Sequence, residues 1–333
     1  RALSFVQGIM GEAVGKLYVQ KYFPESSKER MIQLVKNLQS AFAQRIEENT
    51  WMTAATKAKA LEKLQAFDIK IGYPDKWQNM DSVFVIDDAK SLLDNVKNVQ
   101  EAASKYIISK RWGKPVDKKL WHMTPQTVNA YYDPSTNSIN FPAAILQSPF
   151  FDPEVDDAAN YGAIGAVIGH EMSHGFDDQG CQFDKEGNMK NWWTDEDKKN
   201  YDARTKVLVD WFNQQEVIPG LKVNGEKTLG ENIGDNGGLN VAYRALENSM
   251  KQNPLTDKDG FTPSQRFFLA WGRVWASNVA PQFVAYIVNS DVHSPNVSRV
   301  NAALPMIDSW YKAFDIKEGD KLFVPQEKRA HIW

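Results

Sequence analysis

Hydrophobic residues in the first third of the chain recur at the spacing of an α-helix. Between Lys28 and Asn49 the apolar residues stand three or four positions apart, which predicts an amphipathic helix with one buried face. Similar spacing, with Thr53 as a helix N-cap, extends this prediction along the chain. The ranges predicted to be helical are 4–22, 28–49, 53–67 and 87–111. We therefore expect residues 1 to about 110 to be a helical scaffold.

The pattern changes after Thr124, where apolar and polar residues alternate. Residues 127–132 and 138–141 have this two-residue period, and the intervening residues 133–137 have the composition of a turn. The sequence therefore predicts a β-hairpin. Two interpretations of this hairpin are open. It can be an ordinary edge ribbon with a structural role, or its edge strand can pair with the backbone of an extended peptide.

The second half of the chain is again predicted to be mostly helical. The ranges predicted to be helical are a segment around 161–174, then 195–215, 229–250, 264–279 and 300–314, with loops between them. Together with the hairpin, these segments predict a mainly α fold with a small β component, of the α+β class.

Composition limits the possible functions of the 333-residue chain. The net charge is −3 and the Lys and Arg residues are dispersed, so no nucleic-acid partner is expected. No apolar run approaches the ~18 residues of a membrane span. Cys181 is the single cysteine, which excludes an internal disulfide but leaves the compartment open. Because the chain begins in the middle of a pattern, we expect an N-terminal part to be missing from it.

The strongest chemical signal is His170-Glu171-x-x-His174. On a helix this spacing places both imidazoles on one face, where they can bind one zinc ion while Glu171 reaches a zinc-bound water. The alternative is an exposed helix with two solvated histidines. The preceding residues 161–169 are nearly free of charge and rich in small residues, which predicts a buried helix. Because unpaired buried polar groups are costly, we favour the zinc site.

A zinc hydrolase needs a third protein ligand. Cys181 is conceivable, but Glu231 is the better candidate because Asp235, one helical turn later, can hydrogen-bond the back of a ligand histidine. The alternative is a solvated first helical turn, in which acidic residues are common. The glycine and asparagine residues around both acids make a poor ordinary helix and favour a functional role.

Two cationic residues further on can stabilise a transition state. His293 and Arg299 can hydrogen-bond a developing oxyanion and a substrate carbonyl, although a lone loop histidine is more often structural. We interpret His122 and His331 as structural.

The chain contains four distinctive sequence blocks, which are H-E-M-S-H-G-F-D-D from His170, G-E-N-I-G-D-N-G-G from Gly230, D-V-H-S-P-N-V-S-R from Asp291 and N-A-Y-Y from Asn129. Together these blocks resemble the neprilysin and endothelin-converting-enzyme family of zinc endopeptidases. The resemblance covers essentially the whole chain. The animal enzymes end in Cys-x-x-Trp and carry several disulfides, whereas this chain ends His-Ile-Trp with one cysteine, which indicates a bacterial relative.

The resemblance implies a role for each site residue. One Zn²⁺ is bound by His170, His174 and Glu231, with Glu171 as general base and Asp235 as the residue that orients a ligand. His293 stabilises the tetrahedral intermediate. The implied substrate contacts are Arg299 to a carbonyl, hydrogen bonds from Asn129 and Ala130, and an apolar pocket lined by Ile145, Phe150, Ala166, Val167, Val274 and Trp275.

The resemblance also implies the domain organisation and the reaction. Residues 1–105 would be the later part of a helical lid domain, and residues 106–333 a thermolysin-like catalytic domain. The expected reaction is attack of the zinc-bound water on oligopeptides, on the amino side of hydrophobic residues. The expected partners are peptide substrates and the missing N-terminal part, and the expected location is extracytoplasmic.

Two other functions fit the sequence less well. A thermolysin-type secreted protease acting on whole proteins is disfavoured by the long helical segment before the hairpin and by the lack of calcium-loop carboxylate patterns. A catalytically idle surface adhesin is disfavoured because the chain retains Glu171 and every proposed ligand.

Overall fold

Helices account for most of the chain in the computed structural model, which describes residues 1–78 and 83–333. The α-helices are α1 (Ala2–Tyr22), α2 (Glu25–Glu48), α3 (Ala54–Gln65), α4 (Leu92–Arg111), α5 (Asp157–Asn160), α6 (Ala166–His174), α7 (Asp195–Phe212), α8 (Leu229–Gln252), α9 (Pro263–Val274), α10 (Pro281–Ser290), α11 (Asn296–Asn301) and α12 (Asp308–Phe314). The strands are β1 (Asp68–Gly72), β2 (Tyr131–Asp133), β3 (Ser138–Pro142), β4 (Glu216–Ile218) and β5 (Leu221–Lys222). The predicted class, mainly α with a small β component, is confirmed.

Helix α2 has the apolar stripe that its sequence predicts. The side chains of this stripe, among them Leu38 and Phe42, are buried, and they pack the helix against α6 and α8. Helix α3 begins at the predicted N-cap, because the Thr53 hydroxyl accepts a hydrogen bond from Thr56 N. These two helices therefore form part of the core beneath the HExxH helix.

A three-stranded sheet has the order β1-β3-β2. Strand β2 pairs antiparallel with β3, so the predicted hairpin is confirmed, although its first strand begins at Tyr131 rather than Thr127. Strand β1 pairs parallel with β3, with Ile69 opposite Ile139. Strand β1 lies between two of the predicted helical ranges, and the sequence patterns did not predict it. This five-residue strand is stabilised by a partner about seventy residues later, which local periodicity does not detect.

The second half departs from the predicted boundaries at its proline residues. Helix α9 ends at Val274 rather than Val279, and α10 was not predicted; Pro281 occupies its first turn, where proline is tolerated. The helix predicted over 300–314 is instead α11, a 3₁₀ turn that contains Pro305, and α12. The predicted loop between α7 and α8 carries the short β4–β5 hairpin.

Contacts cross the predicted domain boundary at residue 105, which remains a prediction. Helix α2 packs against α8, and β1 pairs with β3. In residues 1–78 and 83–333, no helix combines the length and the apolar character that a membrane span requires.

Candidate metal centre

The site is built where α6 crosses α8 through glycine residues. A Cβ atom added to Gly169 would lie 2.9 Å from the Cα atom of Gly238, and one added to Gly234 would lie 2.7 Å from the imidazole ring of His170. The two helix backbones therefore approach more closely than larger residues would allow. This close approach brings Glu231, in the first turn of α8, to the histidines of α6.

Three potential ligand atoms converge at this crossing. His170 Nε2 lies 3.0 Å from His174 Nε2 and 3.1 Å from Glu231 Oε2, and His174 Nε2 lies 3.7 Å from Glu231 Oε2. Bonds of 2.0–2.1 Å in a tetrahedral zinc site separate two ligand atoms by about 3.3 Å. Two imidazoles and one carboxylate are also a ligand set that zinc accepts. The residues therefore fit a zinc ion.

A carboxylate lies behind each histidine. His170 Nδ1 donates to Asp235 Oδ1 at 2.9 Å, and His174 Nδ1 donates to Asp177 Oδ2 at 2.7 Å. A proton held on Nδ1 leaves the Nε2 lone pair free for a metal. Asp235 was predicted at this position, whereas Asp177 was not, because its only local signal is its place three residues after His174.

The thiol of Cys181 does not belong to the group of converging ligand atoms formed by His170, His174 and Glu231. Burial raises the pKa of its thiol to about 12, so the sulfur stays protonated. Among the described residues, the group of side chains that could hold a metal ion is His170, His174 and Glu231. The geometry thus favours Glu231 over Cys181 as the third ligand.

Arg299 lies on the Nδ1 side of His170. Its Nε and Nη2 atoms donate to the two carboxylate oxygens of Asp235 at 2.8 and 2.6 Å, and its guanidinium lies 3.8 Å from the ring centroid of Trp275. Burial raises the pKa of Asp235, but the charge of Arg299 and the hydrogen bonds outweigh it and lower that pKa. Asp235 is therefore held as an anion facing His170.

Glu171 is only 6% exposed and lies on the same helix as the two histidines. Burial raises the pKa of its carboxyl group, and the neighbouring imidazoles partly oppose this effect. A carboxylate with a raised pKa takes up a proton more readily, which suits general-base chemistry near neutral pH.

His293 approaches the site from the loop after α10. Its Nε2 lies 3.1 Å from Glu231 Oε2, and its Nδ1 donates to Asp291 Oδ1 at 2.7 Å. The hydrogen bond with Glu231 raises the pKa of His293, with a smaller contribution from Asp291. Asp291 was not predicted at the site, and its only local signal is its place two residues before His293. The imidazole side chain is 44% exposed and so faces solvent as well as the ligand carboxylate.

The predicted substrate residues differ in exposure. Asn129 is exposed, and its Oδ1 accepts a hydrogen bond from the buried Ala130 N at 2.9 Å, just before edge strand β2. The predicted pocket residues are buried in three cases (Ile145, Ala166, Val167) and partly buried in three (Phe150, Val274, Trp275). Their roles in substrate binding remain predictions.

Comparison with known proteins identifies the class to which this fold and site belong. Residues 129–330 and residues 1–74 match two sequence models of peptidase family M13. The chain belongs to this family, and the predicted resemblance to neprilysin is confirmed.

Individual relatives extend the match over the whole chain. Neutral endopeptidase of Lactobacillus helveticus is 39% identical over 333 residues, which are 100% of this chain and 50% of the relative. Neprilysin of Homo sapiens is 35% identical over 100% of this chain and 46% of its own length. The crystal structure of the zinc metalloprotease Zmp1 of Mycobacterium tuberculosis in complex with an inhibitor has a TM-score of 0.93 and 45% identity, over 99% of this chain and 50% of that one. The chain thus spans about half the length of the curated relatives it matches.

Proposed function

We propose that the chain carries the catalytic site of a zinc-dependent endopeptidase that hydrolyses oligopeptides. The observation that supports this proposal is the convergence of His170 Nε2, His174 Nε2 and Glu231 Oε2 within 4.8 Å of one another, next to the buried carboxyl group of Glu171. Family membership supports the same reaction class.

Each polar residue of the site would have a distinct role in the reaction. His170, His174 and Glu231 would hold a zinc ion, which supplies Lewis acidity toward the scissile carbonyl and activates water. The carboxylate of Glu171 takes a proton from the attacking water and then delivers it to the leaving amine nitrogen. Asp235 and Asp177 keep the two imidazoles in the tautomer that presents Nε2.

His293 and Arg299 would act on the substrate carbonyls. Once protonated, His293 donates from Nδ1 to Asp291 and from Nε2 to the oxyanion of the tetrahedral intermediate. Arg299, fixed by Asp235, donates a hydrogen bond to a backbone carbonyl of the bound peptide.

The peptide itself would bind along strand β2. Asn129 and Ala130 precede this edge strand and would hydrogen-bond the peptide backbone. An apolar pocket that includes Val167 and Val274 would favour cleavage on the amino side of hydrophobic residues. Mass spectrometry of the products of a mixed peptide library tests this preference, and cleavage before charged residues would contradict it.

Exposed apolar faces on α1 and α4 support a further element of the proposal. Leu17 in α1 is 68% exposed, Leu92 in α4 is 73% exposed, and Trp112, which directly follows α4, is 84% exposed. We propose that, in the longer polypeptides of this family, these faces contact the part of the chain that these 333 residues do not include. Slower hydrogen exchange of α1 and α4 in the longer polypeptide than in the 333-residue chain would support this proposal, and equal exchange in the two would contradict it.

Cleavage of a quenched fluorescent peptide before and after chelation tests the proposed reaction. We expect activity to disappear with a chelator and to return with one equivalent of Zn²⁺, and we expect His170→Ala to stay inactive. Full activity after exhaustive chelation would exclude the metal mechanism. Bound zinc without any peptide cleavage would favour a binding protein instead.

A further inference from the structure

A buried ammonium group lies beside the end of the HExxH helix. Lys63, in the last turn of α3, is 1% exposed, and its Nζ donates to the carbonyl oxygens of Gly175, Gly180 and Phe183, each at 2.7 Å. An ammonium group has three hydrogen atoms to donate, so all of them are used. The three acceptors all belong to residues 175–183, which follow α6 directly.

Aromatic rings complete the surroundings of this cation. The Nζ atom lies 5.8 Å from the ring centroid of Tyr132, 5.7 Å from that of Phe176 and 5.8 Å from that of Trp192. Ring faces at this distance attract a cation. A buried charge is costly unless it is paired, and here carbonyl oxygens and ring faces share that task. The pocket is therefore formed around a positive charge.

A continuous path of hydrogen bonds leads from this cation to a metal ligand. Gly180 accepts from Lys63 through its oxygen, and its N–H donates to Asp177 Oδ1 at 2.6 Å. The other oxygen of Asp177, Oδ2, accepts from His174 Nδ1 at 2.7 Å. A Cβ atom on Gly180 would lie 1.7 Å from the carbonyl oxygen of His174, so this turn lies directly against the end of α6.

We propose that Lys63 is a positioning residue of the metal centre, which holds residues 175–183 so that Asp177 keeps His174 aligned and zinc is retained. The cation also lies just past the C-terminal end of α6, where the helix dipole favours positive charge. The proposal rests on the proposed function, because it requires zinc at His174. It assigns to the first third of the chain a supporting part in the metal site, exerted through Gly180 and Asp177.

The test is the rate at which the zinc-loaded full polypeptide loses its metal to an excess of chelator. Lys63→Gln removes the charge and leaves carbonyl oxygens unpaired, and we expect about tenfold faster zinc loss, at the low end of the effect of residues behind metal ligands. Lys57→Gln is the matched control. Lys57 lies in the same helix but donates to the Glu47 carbonyl, and this variant should lose zinc at the parent rate.

A second control separates positioning from a general loss of stability. Leu64→Ala changes a fully buried neighbour in α3 that contributes no hydrogen bond to residues 175–183 through its side chain. We expect it to lower the urea midpoint of the metal-free protein while zinc loss stays within about twofold of the parent rate. In Lys63→Gln, hydrogen exchange should rise in residues 175–183 but not in α7.

The outcomes distinguish the two proposals. A parent protein that binds no zinc would overturn the proposed function and this inference with it. A parent that binds zinc, with Lys63→Gln losing it no faster than the parent or than Leu64→Ala, would overturn the inference alone. If Lys63→Gln does not fold, Lys63→Arg decides, because its planar guanidinium keeps the charge but does not reproduce three pyramidal donors. Faster zinc loss supports the inference, and the parent rate overturns it.

Discussion

The crossing of α6 and α8 and the pair formed by α1 and α4 differ strongly in how deeply their residues are buried. Every residue of α6 except His174 is buried, and the crossing is made through glycine backbones. In α1 only Gly15 and Val19 are buried, and in α4 only Asn95 and Val99, although both helices are at least 20 residues long. Both pairs are helical, but the first pair buries its contacting side chains, whereas the second pair leaves many side chains exposed.

This difference shows that helix length alone does not fix the positions of the side chains in a site. At the crossing, small residues allow close backbone contact, and charged groups that are buried there must find partners: His170 with Asp235, and Asp235 with Arg299. Each side chain is therefore held by another. In α1 and α4, exposed apolar side chains such as Leu17 and Leu92 have no comparable constraint.

The largest effect is expected for the substitution of Glu171, which tests whether this buried carboxyl group takes part in the reaction or only stabilises the fold. Glu171→Gln keeps the shape of the side chain but cannot take up a proton, so we expect kcat/KM to fall by about 10²–10⁴ while zinc content is unchanged. Peptide cleavage and elemental analysis measure the two quantities. Glu186→Gln, in an exposed loop, is the control and should match the parent. Parent-level cleavage by Glu171→Gln would refute the role of general base.

A smaller change tests the close contact of the helices. Gly234→Ala places a methyl group 2.7 Å from the His170 ring, which must move, and we expect zinc affinity to fall by about 100-fold. The matched control is Gly272→Ala in α9, where an added Cβ atom meets nothing within 4 Å. Chelator competition measures both variants. Equal affinities for zinc would show that the glycine contact is not required.

The next largest effect is expected at Asp177, a carboxylate that was not predicted at the site from the sequence. Asp177→Asn weakens the hydrogen bond to His174 Nδ1 and presents an amide donor near it, so zinc affinity should fall about 10- to 100-fold. Asp184→Asn, in the following loop, is the control because, among the residues that the structure describes, the hydrogen-bond partners of Asp184 lie in that same loop. A parent-like affinity of Asp177→Asn would remove Asp177 from the metal centre.

The smallest effect is expected in α1, whose side chains are largely exposed. Leu17→Ala in α1 should change the free energy of unfolding by less than about 0.5 kcal/mol, because the side chain is already exposed. Leu38→Ala in α2, at a fully buried position, should cost about 2–5 kcal/mol. Urea unfolding measures both variants. Similar costs would mean that α1 is buried in solution.

Local patterns predicted the parts of this protein that depend on neighbouring residues. The helical spacing in α2, the Thr53 N-cap and the HExxH motif each involve residues within a few turns, and the structure has all three. Strand β1 and the bond from Lys63 to the turn after α6 depend on partners 70 or more residues away, which periodicity does not reveal. Asp177 and Asp291 are close to the histidines they contact, but acidic residues near histidine are too common to assign without coordinates.

X-ray absorption spectroscopy at the zinc edge reports the ligands of the metal centre. For the zinc-loaded protein we expect one zinc ion per chain, with two imidazole nitrogens and carboxylate oxygen in its first coordination sphere, and loss of that ion in Glu231→Ala. We also expect an unchanged spectrum in Glu171→Gln. A sulfur ligand from Cys181, or full zinc content in Glu231→Ala, would show that His170, His174 and Glu231 do not form the metal site.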